Sequence, residues 1–89
     1  MIKRIFVYGK VTDTFFRLFI RQNAKRLGIN GFAKNVEDHV EAVFEGESSK
    51  VNEMIEVCKQ GPPGAKVENV KVEDLSNYTG TFDDFEILR

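Results

Sequence analysis

The chain has 89 residues, of which 42% are hydrophobic and 30% charged, and its formal net charge is −1 at pH 7. This length suits one domain, which we place at residues 1–89. The even charge gives no broad attraction to nucleic acid or to an anionic membrane. A single cysteine excludes an intramolecular disulfide, and one cysteine with one histidine cannot form a structural zinc site.

No segment has the length and apolarity of a membrane span or of a signal-peptide core. We therefore expect a cytoplasmic protein without a membrane partner. We also expect a monomer that acts on a small molecule, binds no nucleic acid, and needs neither a metal ion nor another cofactor.

The first two elements are a strand and a helix. The β-branched and aromatic run Lys3–Val11 predicts a strand. A helix over Phe16–Leu27 follows, because its apolar residues recur at intervals of three or four, and Gly28 is a natural left-handed stop. The apolar stripe consists of Phe16, Ile20, Ala24 and Leu27.

The middle of the chain predicts a hairpin with strands at Phe32–Val36 and Val40–Glu45. Its tight turn is either Glu37-Asp38 or Asp38-His39. We expect the lone histidine, His39, to be a turn residue without a catalytic role.

A second helix follows, with Ser48 or Ser49 as its N-cap and Gly61 at its end. Its core stripe is Val51, Met54, Ile55 and Cys58. Residues 65–75 predict a fourth strand, and residues 82–88 a short final one. This order favours an α+β fold, the ferredoxin-like βαββαβ sandwich, with an antiparallel sheet and two helices on one face.

The junction between the first strand and the first helix, residues 8–19 (YGKVTDTFFRLF), is the candidate site. Such a junction presents free backbone N–H groups at the positive end of a helix and is suited to bind an anion. Arg17 adds a planar, permanently charged fork for phosphate oxygens. The alternative is that Arg17 is one more solvated charge on a basic helix.

The wider pattern resembles the acylphosphatase family, whose two motifs read approximately G-x-V-Q-G-V-x-F-R and G-[WFY]-V-x-N-x-x-D-G-x-V-E. The first is matched by Gly9, Val11, Phe16 and Arg17. The second is matched by Gly31, Phe32, Asn35, Asp38, Val40 and Glu41.

This resemblance implies hydrolysis of acyl phosphates to a carboxylate and inorganic phosphate, without a metal ion or an organic cofactor. It implies that Arg17 binds the phosphoryl oxygens and that Asn35 places the attacking water. The implied phosphate-binding loop consists of Val11, Thr12, Asp13, Thr14, Phe15, Phe16 and Arg17.

The chain departs from the family where Q-G-V is replaced by Thr12, Asp13 and Thr14. Loss of the glycine could block a backbone angle that other residues adopt poorly. Two like charges about 4 Å apart repel by roughly 1 to 4 kcal/mol near a protein surface, so Asp13 should weaken phosphate binding. As helix caps, Asp13 and Thr14 would also occupy the N–H groups that a phosphate needs.

The hairpin departs as well, because His39 replaces the turn glycine and the segment after Asn35 is one residue short. Two interpretations remain open. One is a weak acylphosphatase. The other is a non-catalytic acylphosphatase-like module with a self-capped anion site that binds a partner or a small ligand. A nucleic-acid-binding sheet is less favoured, and Phe6 and Tyr8 are expected to make one core and one edge contact.

Overall fold

The computed structural model describes residues 1–75 and 82–88. Five strands form one sheet in the order β4-β1-β3-β2-β5, and two helices accompany it. The elements are β1 (Ile2–Lys10), α1 (Phe16–Arg26), β2 (Asn30–Val36), β3 (His39–Glu45), α2 (Ser48–Gln60), β4 (Lys66–Asp74) and β5 (Phe85–Leu88).

The sheet is antiparallel except at one edge. β1 pairs antiparallel with β3 and β4, and β2 pairs antiparallel with β3, whereas β5 runs parallel to β2. The predicted ferredoxin-like arrangement is confirmed, and the fifth strand makes the sheet mixed. A parallel pair such as β2 and β5 cannot be joined by a hairpin and needs a long connection. β5 forms one edge of the sheet and β4 forms the other.

Both helices lie on one face of this sheet, where α1 packs against β2 and β5 and α2 packs against β1 and β4. The core lies between the two layers and is apolar throughout. The six residues predicted for it are all buried: Phe16, Ile20, Leu27, Val51, Met54 and Ile55. Cys58 is also fully buried, and its burial raises the pKa of its thiol, as expected of a packing residue.

The predicted helix ends are confirmed, and the predicted cap of α2 is wrong. Gly28 has φ +70° after α1, and Gly61 follows α2 with φ +72°. The N-cap of α2 is Glu47, whose extended backbone precedes Ser48, and no side chain in the described structure caps this helix. Instead of capping, the Ser49 hydroxyl donates to the Glu47 carboxylate at 3.1 Å.

The opposite face of the sheet corrects two expectations about aromatic residues. Phe6 and Tyr8 both project from it, since they alternate with the buried Ile5 and Val7. His39 is the first residue of β3 rather than a turn residue, and the centroid of its ring lies 4.9 Å from the ring centroid of Tyr8. The hairpin turn is Glu37-Asp38, since Val36 pairs with His39.

Neither α1 nor α2 is long and apolar enough to cross a membrane, and they are the helices found in the described ranges.

Candidate active site

A cleft of about 350 Å³ opens where β1 leads into α1 and β5 ends beside them. Most of its lining comes from residues 12–18, and β5 contributes one side chain. The lining residues are Thr12, Asp13, Phe15, Phe16, Arg17, Leu18 and Ile87. The cleft therefore coincides with the strand-to-helix junction that the sequence indicates.

The turn into the helix depends on Phe15, which adopts a left-handed conformation with φ 58° and ψ 27°. Its carbonyl accepts the first helical hydrogen bond, from the amide of Phe19 at 3.0 Å. Before it, the Thr14 hydroxyl donates to the carbonyl of Val11 at 2.8 Å and closes the loop. A phenylalanine in this conformation carries a steric cost, so the loop is held by its surroundings.

The amides of Phe16, Arg17 and Leu18 have no carbonyl one turn earlier in α1 to accept their hydrogen bonds. The N-cap is Phe15 rather than Asp13 or Thr14, and no side chain among the described residues makes a capping hydrogen bond there. The expectation that Asp13 and Thr14 cap α1 is therefore wrong. Without that cap the self-capped interpretation loses its basis, and these N–H groups remain open to an anion.

Asp13 lies on the cleft wall, and its side chain is exposed. Among the described residues, Phe15 and Glu37 are the non-glycine residues with a positive φ, and Asp13 is not one of them. The backbone of Asp13 therefore lies outside the left-handed region. The expectation that this position needs a glycine's backbone freedom is consequently wrong. What remains of the departure from the family is the negative charge beside the anion site.

Arg17 lies in the first turn of α1 and is half-buried. Its Nη1 donates to the carbonyl of Leu88, the last residue of β5, at 3.1 Å. A guanidinium has five N–H donors, so this bond fixes the group and leaves other donors for a ligand. The end of β5 thus holds the guanidinium at the cleft.

Asn35 lies on β2 and shares the helix-facing side of the sheet with the buried Ala33. Its Nδ2 donates to the carbonyl of Thr12 at 3.4 Å. Its Oδ1 is buried and has no hydrogen-bond partner among the described residues. Although the segment after Asn35 is one residue shorter than in the family motif, β2 and β3 stay paired up to Val36 and His39. Asn35 still contacts the loop between β1 and α1 at Thr12.

Two motif glycines have structural reasons. Gly9 lies at an irregularity between β1 and β4, with φ +128°, and a Cβ there would overlap the carbonyl of Lys66. Gly31 has φ +141°, and a Cβ there would overlap the carbonyl of Val43. Both glycines permit close backbone approach within the sheet that carries the site.

Sequence reasoning missed the roles of Leu18, Ile87 and the Leu88 carbonyl in this cleft. Leu18 directly follows Arg17, the last residue of the first motif, and this position could have indicated that Leu18 lies near the site. Ile87 and Leu88 belong to a strand whose partner and direction the sequence does not specify. A backbone carbonyl carries no signal in the residue type.

In residues 1–75 and 82–88, no three His, Cys, Asp or Glu side chains converge as ligands for a metal ion. The groups of the cleft that attract an anion are the guanidinium of Arg17 and the amides at the start of α1.

Comparison with known proteins shows which family the chain resembles in sequence and in structure. A family model described as acylphosphatase matches residues 3–87. An acylphosphatase of Syntrophus aciditrophicus is 50% identical over 91 residues, covering 99% of this chain and 94% of the relative. One of Pyrobaculum islandicum is 45% identical over 86 residues, covering 94% and 90%. The crystal structure of acylphosphatase from Bacillus subtilis superposes with a TM-score of 0.93 at 30% identity, over 100% of both chains.

Proposed function

Because the chain belongs to the acylphosphatase family and hydrolyses acyl phosphates, we propose that Arg17 holds the phosphoryl group and that Asn35 places the attacking water. One observation carries this proposal. The open amides at the start of α1 and the guanidinium of Arg17 belong to one loop and cleft, and Asn35, whose buried Oδ1 has no partner among the described residues, is bonded to the same loop through the Thr12 carbonyl. The amides and the guanidinium bind negative charge, and the amide oxygen of Asn35 accepts a hydrogen bond.

The phosphoryl oxygens bind to the amides of Phe16, Arg17 and Leu18 and to the guanidinium. These donors are fixed before the substrate arrives, since Arg17 is already bonded to Leu88. Phosphoryl transfer is loose, with charge spread over the oxygens in the transition state. Fixed donors aimed at that charge lower the barrier without reorganisation.

The attacking water donates a hydrogen bond to Oδ1 of Asn35. A buried carbonyl oxygen left without a partner costs about 1 to 3 kcal/mol, which gives the site a reason to hold that water. The bond turns a lone pair of the water toward phosphorus. Placing a reactant in this way supplies part of the rate enhancement by proximity alone.

The leaving group departs as a carboxylate and needs no proton, so no general acid is required. The water's proton passes to the phosphate that forms or to solvent. His39 takes no part, because it lies against Tyr8 on the face of the sheet opposite the helices.

The experiment is hydrolysis of benzoyl phosphate by the wild type, by Arg17→Ala and by the matched control Arg26→Ala. Arg26 lies in the last turn of α1 and bonds to Asn23 and Glu53. Arg17→Ala should lower kcat/KM by about 100-fold or more, while Arg26→Ala should stay near the wild type. Inorganic phosphate should inhibit the wild type competitively. Wild-type activity in Arg17→Ala would contradict the proposal.

We also propose that the chain acts as a cytoplasmic monomer and does not bind nucleic acid. The net charge of −1 supports the last point, and so does the sheet face opposite the helices, where Arg4 is paired with Glu41 and Glu73. Light scattering tests the oligomeric state, and a stable dimer at assay concentration would contradict it. Cell fractionation tests the cytoplasmic location. A titration with single-stranded oligonucleotides at low salt tests the absence of nucleic-acid binding.

A further inference from the structure

The cleft has an apolar rim. Phe15 is 83% exposed and Leu18 is 42% exposed, and both line the cleft together with Ile87 of β5. Because both side chains line this one cleft, Phe15 and Leu18 lie on neighbouring parts of one surface. Arg17 lies between them in the sequence and supplies the charged end of the same cleft.

This exposure is concentrated at the site. Exposed large hydrophobic side chains occur at four positions of the described chain, and two of them, Phe15 and Leu18, line this cleft. A single exposed leucine needs no explanation. An exposed aromatic ring on a residue held left-handed beside an anion site is different, since strained residues cluster where ligands bind.

Resting on the proposed function, we propose that Phe15, Leu18 and Ile87 form the subsite for the acyl group of the substrate. An acyl phosphate is an anionic phosphoryl group joined to an organic chain or ring. With the phosphoryl group at Arg17 and the helix amides, the acyl group extends onto the rim. The chain therefore prefers acyl phosphates with bulky apolar acyl groups, aromatic ones above all, over acetyl phosphate.

The size and chemistry of the cleft fit this occupant. Its volume of about 350 Å³ exceeds what a phosphoryl group alone requires and lies at the lower end of the range for small-molecule sites. The ring of Phe15 offers an exposed aromatic face, and aromatic pairs gain attraction beyond the area that they bury.

The test is the ratio of kcat/KM for benzoyl phosphate to that for acetyl phosphate. Taking this ratio in each variant, relative to the wild type, cancels the intrinsic reactivities of the two substrates. Leu18→Ala keeps the backbone amide that binds the phosphoryl group and removes only the apolar side chain, so it should lower the ratio about fivefold, less than a change inside a closed pocket. Phe15→Asn should lower it at least as much, because asparagine tolerates the left-handed backbone and lacks the ring.

The matched control is Val72→Ala, which truncates a 45% exposed apolar residue on β4, outside the cleft. It should keep the wild-type ratio. An unchanged ratio in both Leu18→Ala and Phe15→Asn would overturn the acyl subsite, and so would an equal fall in Val72→Ala.

The two proposals fail differently. If the wild type hydrolyses both substrates with competitive inhibition by phosphate, and Arg17→Ala removes the activity, an unchanged ratio overturns only the acyl subsite. If Arg17→Ala keeps wild-type activity, the proposed function fails first, and the subsite falls with it.

Discussion

Nη1 of Arg17 lies 3.1 Å from the carbonyl oxygen of Leu88, a residue 71 positions later in the chain. One donor of the side chain that we propose to bind phosphate is therefore already in use, and the last residue of β5 sets the position of the guanidinium. A planar guanidinium can hold that carbonyl and a phosphoryl group at once, because its donors point in several fixed directions.

Arg17→Lys tests whether the fork or the charge is needed. Lysine keeps the charge but cannot bond to Leu88 and bind two phosphoryl oxygens in the same plane. We expect kcat/KM for benzoyl phosphate to fall by about 100-fold and the inhibition constant of phosphate to rise. Arg26→Lys is the matched control. Recovery of most of the activity in Arg17→Lys would show that charge alone is sufficient.

Asn35→Ala should lower kcat by about 100-fold and leave the inhibition constant of phosphate nearly unchanged. The reason is that water placement matters in the transition state more than in phosphate binding. Steady-state kinetics with phosphate inhibition separates the two effects. A rise in the inhibition constant as large as the loss of kcat would show instead that Asn35 acts by holding the loop through Thr12.

Asp13→Asn should strengthen phosphate binding by about fivefold at low ionic strength, because it removes a negative charge from the cleft wall at nearly constant shape. The gain should shrink as salt is added. Tm should change little, since Asp13 does not cap α1. Glu56→Gln on α2 controls for net charge. Unchanged phosphate affinity in Asp13→Asn would show that this carboxylate does not oppose the ligand.

Gly9→Ala should destabilise the fold by about 3 kcal/mol, because the new Cβ would overlap the Lys66 carbonyl in a conformation that alanine adopts poorly. Gly46→Ala is the control, since its Cβ would meet Ile29 at an ordinary contact distance of 3.4 Å. Urea denaturation of both variants measures the difference. Equal stability of the two would contradict the close approach of β1 and β4 at Gly9.

Treatment with a chelator should leave benzoyl phosphate hydrolysis unchanged. The proposed steps rely on Arg17, backbone amides and Asn35, and a carboxylate leaves without Lewis-acid help. The assay compares activity before and after dialysis against EDTA, with magnesium added back as the control. Loss of activity that added metal restores would contradict the expectation.

The helices and the core were predictable because their signals are periodic. Apolar residues such as Ile20 and Met54 recur with the helical repeat, and Gly28 and Gly61 end the helices as expected. The placement of Asn35 beside the loop followed from the family resemblance, and the structure puts its Nδ2 3.4 Å from the Thr12 carbonyl.

Other features depend on tertiary contacts that residue types do not reveal. β5 is four residues long, so its pattern gave no information on direction, and it pairs parallel with β2. The left-handed residue of the loop is Phe15, although propensity favours glycine or asparagine in that conformation. Asp13 is compatible with helix capping by residue type, but the helix begins two residues too late for it.

The parallel edge strand also ties the function to the order of folding. β1, α1 and β2 are close in sequence, whereas the Leu88 carbonyl that holds Arg17 arrives only when the last strand docks. Closing so long a stretch of chain is among the slower and entropically costlier steps in folding. A molecule with every other element in place would still lack a fixed guanidinium. With Arg17 in its proposed role, recovery of hydrolysis during refolding therefore reports the docking of β5 and the completion of the sheet.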